Sequence, residues 1–442
     1  MLPLSQIAER YRRTIDTLPL LLDEYVGLIH AIEQYPLQPR DPQFIHCNAV
    51  IADVSRITGW EANEVGGGTG LSADEALAKA IGEAVERYCI DMYAPAEITI
   101  KSFAEIAEWA FDPRRCALFH AEQYATPGFP FKPLTEHTKI VWAPGFSVTG
   151  DRPTWTPLSL IGPHHYRSEE GGPFDVAPVS GYACGLSSDE AVLRGIYEVI
   201  ERDSFVVNWY NRIPAPQIDL RSLTSVALLQ TLDRFRCAPV QIRCCDLTTD
   251  IGIPTYIALM LGQDPSWPAV AMACATDIDP IRALQRALFE LAANSLFGRA
   301  LLSRGAPVPR SASDVQSQES HALFYTDYER LPYLGHLLSG KVKRLPASPD
   351  GNHDASTTLA AVVKHLSELG YEVIFADLTT PDVEELGFKV VKVIIPGMQP
   401  LDFGASIHHL GSRRLYETPS RMGYNIRHTH PNELNRVPHP FP

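Results

Sequence analysis

Apolar residues return every three or four positions in two stretches of this chain, and the two stretches are close copies. Residues 70–87 read GLSADEALAKAIGEAVER and residues 185–202 read GLSSDEAVLRGIYEVIER, identical at ten of eighteen positions without a gap. In the first copy Leu77, Ile81, Ala84, Val85 and Tyr88 form one apolar stripe, and in the second Val192, Ile196, Val199 and Ile200 do the same. That period predicts an amphipathic helix in each. Ser72 and Ser187 stand at the N-cap with Glu75 and Glu190 three residues on, which predicts a capping box. A third helix is predicted from Asp279-Pro280, an N-cap followed by proline at the first helical position. On it Arg282, Arg286 and Glu290 follow at spacings of four, along one face. Residues 1–35 also carry helical spacing, up to the prolines at 36, 39 and 42, and residues 357–369 form a last helix with Gly370 as its C-cap.

Between the helices the pattern changes to strands. Residues 43–55 read as a strand, as do 240–246 and 253–262, which flank Asp246-Leu-Thr-Thr-Asp250. The same Asp-Leu-Thr-Thr returns at 377–380, inside IFADLTT and ahead of a strand at 390–395. Strands alternating with helices predict a mixed α/β, α+β fold, and the two internal echoes predict two pseudo-symmetric halves. Residues 66–70, GGGTG, read as a glycine-rich loop before the first helix, without the Lys-Ser/Thr of a Walker A loop. Residues 162–178 read as a loop flanking the site, with His164 and His165 solvated, and 345–356 as an exposed linker.

The polar faces of the repeated helices carry the chemistry. Glu83, Glu86 and Arg87 share one face of the first, and Glu198, Glu201 and Arg202 share one face of the second. A single E-x-x-E-R is ordinarily a solvated surface. Two copies, brought together by related halves, would instead gather four carboxylates and two arginines, and such a cluster calls for a cation. Hard cations such as Mg²⁺ take oxygen ligands, and Mg²⁺ beside arginine points to a polyphosphate. The chain ends Arg436-Val-Pro-His-Pro-Phe-Pro442, an alternating-proline segment that favours an extended form able to enter a cleft.

Composition narrows the partners. The 442 residues carry a net charge of −14, which argues against nucleic acid or an anionic membrane surface as a partner. The first residues show no signal peptide and no apolar run spans a bilayer. The eight cysteines contain no C-x-x-C pair and read as reduced core residues of a cytoplasmic protein.

These residues together resemble the YcaO family, and within it the azoline-forming cyclodehydratase subunits (D proteins) that make thiazole/oxazole-modified peptides, the microcin type of bacteriocin among them. The resemblance covers roughly residues 60–442. It rests on G-x-G before the first helix, both E-x-x-E-R motifs, Gly181-Tyr-Ala-Cys-Gly185, and Asp203 running on to Trp209-Tyr-Asn-Arg212. Arg282 to Glu290, Ile395-Pro-Gly-Met-Gln-Pro400 and the terminal P-x-P-x-P complete it. It implies a fold of two halves around a nucleotide and Mg²⁺ site. It divides the chain into a helical extension with a first strand, 1–60, and a catalytic domain, 61–442. It implies ATP and Mg²⁺ as cofactors. Glu83, Glu86, Glu198 and Glu201 would hold the metal, and Lys79, Arg87, Glu190, Arg202, Arg282 and Arg286 the nucleotide. Arg286 and the terminal carboxylate of Pro442 would act in catalysis, the latter as general base. Lys79, Thr69 and Leu186 depart from the serine, lysine and asparagine often found at those positions.

The implied activity is ATP-dependent cyclisation of Cys, Ser or Thr in a ribosomally made precursor peptide to thiazoline or oxazoline. The partners implied are that peptide with its leader, a separate E1-like or ThiF-like subunit that binds the leader, a flavin dehydrogenase, and a homodimer or larger complex. Three alternatives remain open on the residues. They are a sibling enzyme making a thioamide or amidine from a backbone amide, a di-metal carboxylate oxidase (which would want Glu-x-x-His), and a non-catalytic interaction protein.

Overall fold

The computed structural model describes residues 11–162, 174–175, 178–349, 354–404 and 407–441. Three sheets are interleaved with three long helices. Strands β1 (Ile29–Gln34), β2 (Ile45–Ile51) and β3 (Val65–Gly70) form an antiparallel sheet in that order. Strands β4 (Thr99–Ser102), β5 (Lys139–Ser147), β6 (Arg152–Pro157), β7 (Tyr182–Gly185), β13 (Ile374–Asp377) and β14 (Lys389–Ile394) form the second, ordered β4-β5-β13-β14-β7 with β6 on β5. The third is ordered β11-β10-β9-β8-β12, from β8 (Gln217–Ile218), β9 (Val240–Asp246), β10 (Thr255–Gly262), β11 (Val270–Thr276) and β12 (Val342–Lys343). Helix and sheet are mixed as the pattern predicts.

The helices stand between the sheets. Helix α1 (Ala73–Met92) packs on β2 and β3 and touches β7. Helix α2 (Ser188–Tyr210) packs on β7 and β14 at one side and on β10 and β11 at the other. Helix α3 (Pro280–Ser303) covers the opposite face of β10 and β11, and α4 (Ala355–Glu368) lies against α2. The strand alternation assigns each face. Tyr256, Ala258, Met260, Ala271, Ala273 and Ala275 meet α3 through Ala283, Leu284, Ala287 and Leu288. Ile257, Leu259, Val270, Met272 and Cys274 face Phe205 and Trp209 of α2. A row of alanines under α3 lets helix and sheet approach closely while excluding water.

The caps form with one difference. Ser72 and Ser187 accept from the N–H groups of Glu75 and Glu190, each at 3.2 Å. The glutamates do not reach back to the N-cap N–H. They reach one residue further, to Leu71 N at 3.0 Å and Leu186 N at 2.9 Å. Both copies do this, and in both a cation four residues on completes the tie. Lys79 Nζ bonds Glu75 and the Thr69 carbonyl, and Arg194 bonds Glu190 and the Cys184 carbonyl.

Two predicted elements change type. GGGTG is not a loop but most of β3. Its glycines serve close packing: a Cβ on Gly66 would lie 2.3 Å from Ala84 N, and one on Gly68 2.0 Å from Ala76 O. The end of the predicted N-terminal helix, Ile29–Gln34, is β1, because pairing with β2 satisfies its backbone and buries Ile29. The three-stranded sheet therefore crosses residue 60. Of the loop expected at 162–178 and the linker at 345–356, residues 163–173, 176–177 and 350–353 lie outside the described residues.

Candidate functional site

The polar faces of α1 and α2 are only partly open to solvent: the Glu83 and Arg87 side chains are 35% and 39% exposed, and those of Glu198 and Glu201 26% and 8%. These faces turn toward one another and toward α3, and line a cleft. Glu83, on α1, accepts from Gly67 N at 3.0 Å and from Arg87 at 2.5 and 2.9 Å. Glu86, one turn on, accepts from Cys184 N at 3.0 Å, so a carboxylate from the first motif is fixed by the strand that leads into the second. On α2, Glu198 and Glu201 each stand 3.7 Å from Arg202. Glu290 of α3 faces the same group and is open to the cleft's solvent.

The carboxylates act on one another's ionisation. Burial, with Glu198 and Glu83 nearby, pushes the Glu86 carboxyl up to about 8. Burial and then Glu290 push Glu201 well above the carboxylate range. Glu290, which solvent reaches, is raised less, against the pull of Arg202 and Arg286. Because solvent reaches Glu290 but little of Glu201, the stronger perturbation belongs to Glu201. Burial also raises Glu198, opposed by Arg202, Lys392 and Arg286. Like charges packed this tightly favour either a proton or a cation. Among the described residues no three acidic or imidazole groups already sit at metal-ligand spacing. The donor set is nonetheless all carboxylate, which suits Mg²⁺ and not a soft metal.

The remaining expected residues divide into two groups. Arg87, Arg202 and Arg286 stand among the carboxylates. Lys79, Glu190 and Arg282 are engaged at element ends: Lys79 and Glu190 in the two capping ties, and Arg282 with Asp277 at 3.0 Å. Lys79 also lies 4.2 Å from the Phe289 ring. Arg286 donates to the Thr276 carbonyl at 3.3 Å. Two residues of the cluster were not singled out as ligands or charges in the sequence. Glu290 was legible in its spacing of four from Arg286. Lys392 shows only as one lysine in the apolar run VVKVII.

The C-terminal segment reaches this cluster. Trp209 Nε1 donates to Val437 O at 2.9 Å and Tyr325 Oη to Pro438 O at 2.7 Å. Phe441 is 1% exposed, 5.0 Å from the Phe205 ring, with the Arg202 guanidinium 4.1 Å above its own ring. Pro442 lies outside the described residues. His439 stacks on His321 at 4.1 Å. Gly404 N donates to His321 Nε2, so His321 carries its proton on Nδ1 and gives it to the His439 carbonyl at 2.8 Å. His439 Nε2 in turn donates to Asp402 O at 2.9 Å.

Both imidazoles are neutral here. Burial lowers the pKa of each, and for His439 the neighbouring His321 adds to the effect. A histidine depressed in the seated tail but ordinary in a released one binds its proton only on release. For His439 seating is therefore intact above about pH 6.5 and weakens as pH falls below it, by about tenfold one unit down. Hydrogen exchange at Val437, His439 and Phe441, corrected for intrinsic rates, is expected to accelerate between pH 7.5 and 5.5. Equal protection at both values would contradict this.

No described helix is long and apolar enough to cross a membrane. Residues 67–399 match the family described as YcaO cyclodehydratase, ATP- and Mg²⁺-binding. An uncharacterised protein of Methanothermobacter thermautotrophicus is 27% identical over 343 residues, 75% of this chain and 81% of that protein. Among solved structures, a heterocyclase in complex with substrate and cofactor superposes with a TM-score of 0.79 at 24% identity, over 98% of this chain. The heterocyclase TruD gives 0.65 at 25% identity, over 82% of this chain. The aligned parts span only 57% and 50% of those two larger chains.

Proposed function

The chain belongs to the YcaO cyclodehydratase family, ATP- and Mg²⁺-binding, and from that premise we propose that it closes azoline rings in a ribosomally made peptide. The observation that carries this reading is the convergence of both E-x-x-E-R motifs with Glu290, beside a C-terminal segment whose Phe441 packs on Arg202. Glu83, Glu86, Glu198 and Glu201, joined by Glu290, would hold Mg²⁺, which neutralises phosphate charge as a phosphoryl group moves. Arg87, Arg202 and Arg286 would contact the phosphates. For Lys79, Glu190 and Arg282 to join them, these residues exchange the partners they now hold.

ATP is a co-substrate here. The Cys thiol, or the Ser or Thr hydroxyl, of the peptide adds to the preceding carbonyl carbon. The oxygen so freed takes the γ-phosphoryl group, and ADP leaves. The amide nitrogen then expels phosphate as the C=N bond forms. Peptide and ATP give azoline, ADP and phosphate. Arginines already fixed in the cleft need no reorganisation as charge moves, which is where such sites gain most. The terminal carboxylate of Pro442 is the base proposed for the proton lost in ring closure.

The proposed substrate is a precursor peptide recognised through its leader by a separate E1-like or ThiF-like subunit. The decisive measurement is the mass of a candidate peptide after incubation with ATP, Mg²⁺ and such a partner. Each azoline removes one water, a loss of about 18 Da, and recovery of that water in mild acid, which reopens an azoline, separates it from an amidine of the same mass. In a parallel incubation that also holds a sulfide donor, a gain of about 16 Da, oxygen replaced by sulfur, would assign a thioamide instead, and an unchanged mass in both incubations alongside ATP hydrolysis would refute both.

A further inference from the structure

Asp277 follows β11 in the short turn that leads into α3, and it is buried. Its backbone is fixed, with its N–H donated to Pro254 O at 3.2 Å. The turn rests on α2, where Ile278 N donates to Tyr197 Oη at 3.5 Å, one residue before Glu198. The helix is capped without Asp277, because Asp279 accepts from Ile281 N at 2.9 Å. The Asp277 carboxylate meets two arginines instead. Its Oδ1 accepts from Arg282 Nη2 at 3.0 Å and from Asp279 N at 2.9 Å, and its Oδ2 stands 4.0 Å from Arg286 Nη1.

Arg282 and Arg286 lie four residues apart on one face of α3, so their like charges repel. A carboxylate between them offsets that repulsion. The two pairings differ in kind. Arg282 makes the short contact, faces Asp279 as well at 3.7 Å, and braces the carboxylate. Arg286 is held at one corner. Its Nη1 donates to Thr276 O at 3.3 Å and faces Asp277, while Nε and Nη2 have no hydrogen-bond partner among the described residues. The Arg286 side chain is 47% exposed. An exposed arginine without an anchor samples many rotamers, and freezing them on binding costs affinity. One fixed corner reduces that cost and keeps the other donors of the planar fork for a ligand.

We propose that Asp277 is a positioning residue for Arg286: braced by Arg282, it fixes one corner of the Arg286 guanidinium and leaves the remaining nitrogens presented to the phosphates of a nucleotide in the cleft. The proposal rests on the Mg²⁺–nucleotide reading given above. Its effect has a sign opposite to that of bare charge. Removing a negative charge beside a polyphosphate site by itself tightens binding. Removing a residue that positions a phosphate-binding arginine weakens it.

The test is calorimetric binding of Mg²⁺ with a non-hydrolysable ATP analogue to four proteins: the parent, Asp277→Asn, Arg286→Gln and the double variant. Asparagine keeps an acceptor for Asp279 N and Arg282 but not the charge that attracts Arg286. Asp277→Asn is expected to weaken binding about tenfold and to add no loss once Arg286 is already Gln. Tighter binding, unchanged binding or additive losses would overturn the role of Asp277 while leaving the site intact. No loss in Arg286→Gln would overturn the nucleotide role of Arg286 and this inference with it, and no binding by the parent would overturn the site reading itself. A second readout needs no nucleotide. In the ligand-free protein the NMR order parameter of the Arg286 Nε–H group is expected to fall in Asp277→Asn, and equal order in parent and variant would also overturn the role. Should Asp277→Asn fail to fold, Asp277→Ser, whose hydroxyl still accepts from the N–H two residues on, replaces it in both measurements.

Discussion

Glu201→Gln and Glu86→Gln are each expected to lower ATP turnover by about 10²–10³-fold while leaving the protein folded and no less stable. The two halves of that result have one cause. Both carboxylates are held where burial and like charge disfavour ionisation, Glu86 rising to about 8. A carboxyl whose pKa is raised on folding contributes stability that is present at low pH and lost as pH rises through the folded value. For Glu86 that window runs from the ordinary carboxylate range to about 8. The ligand-free parent is therefore expected to melt lower at pH 8.5 than at pH 6. Glu86→Gln should flatten that slope, and Mg²⁺ with nucleotide should restore the parent but not the variant. ADP release and thermal melting at the two pH values check this together. Full turnover in both variants would make the cluster a charged surface and nothing more.

Adding one glycine after Pro442 is expected to reduce ring formation on the order of 10²-fold, with nucleotide binding preserved. One residue displaces the terminal carboxylate by about 3 Å, and misplacement of even 1 Å in a reacting group costs about 10²-fold. Deleting Pro438–Pro442 is the less informative variant, because Phe441 belongs to the apolar cluster of Phe205, Trp209 and Leu259, and Val437 packs against it. Removing a buried phenylalanine typically costs 3–5 kcal/mol, roughly, so the deletion confounds catalysis with stability. Peptide mass after a fixed time, with analogue binding as the control, separates the cases. Unchanged cyclisation by the extended chain would remove the carboxylate from the chemistry.

The repeated helices, their serine N-caps and the placing of both motifs' carboxylates on one polar face of each helix were legible because each rests on short-range order: a period, a spacing, an N-cap. What escaped depended on contacts distant in sequence. Glycines 66 to 68 look like a loop until α1 is seen lying directly on them. Ile29–Gln34 has apolar spacing that fits a helix, and only β2 makes it a strand. Glu290 sits on a face that local spacing identified, yet its role depends on α2, which comes some eighty residues earlier. Lys392 carries no local pattern at all, since a single lysine in an apolar strand has meaning only beside Ser180 and Tyr182.

The glycines also set how far the two copies of the repeat are free to diverge. Gly66 and Gly181 occupy equivalent places, as do Gly70 and Gly185, and at all four a Cβ would come within 3 Å of neighbouring protein atoms. Mutational drift is closed there by steric exclusion in both copies alike. It stays open at the cation that ties each cap, where one copy carries Lys79 and the other Arg194. A lineage can thus exchange charges around the cleft one at a time, whereas a side chain at any of these glycines would demand a simultaneous shift of its neighbours. The steric limit therefore falls on the backbone positions common to both copies, while the charged ties beside them are free to differ.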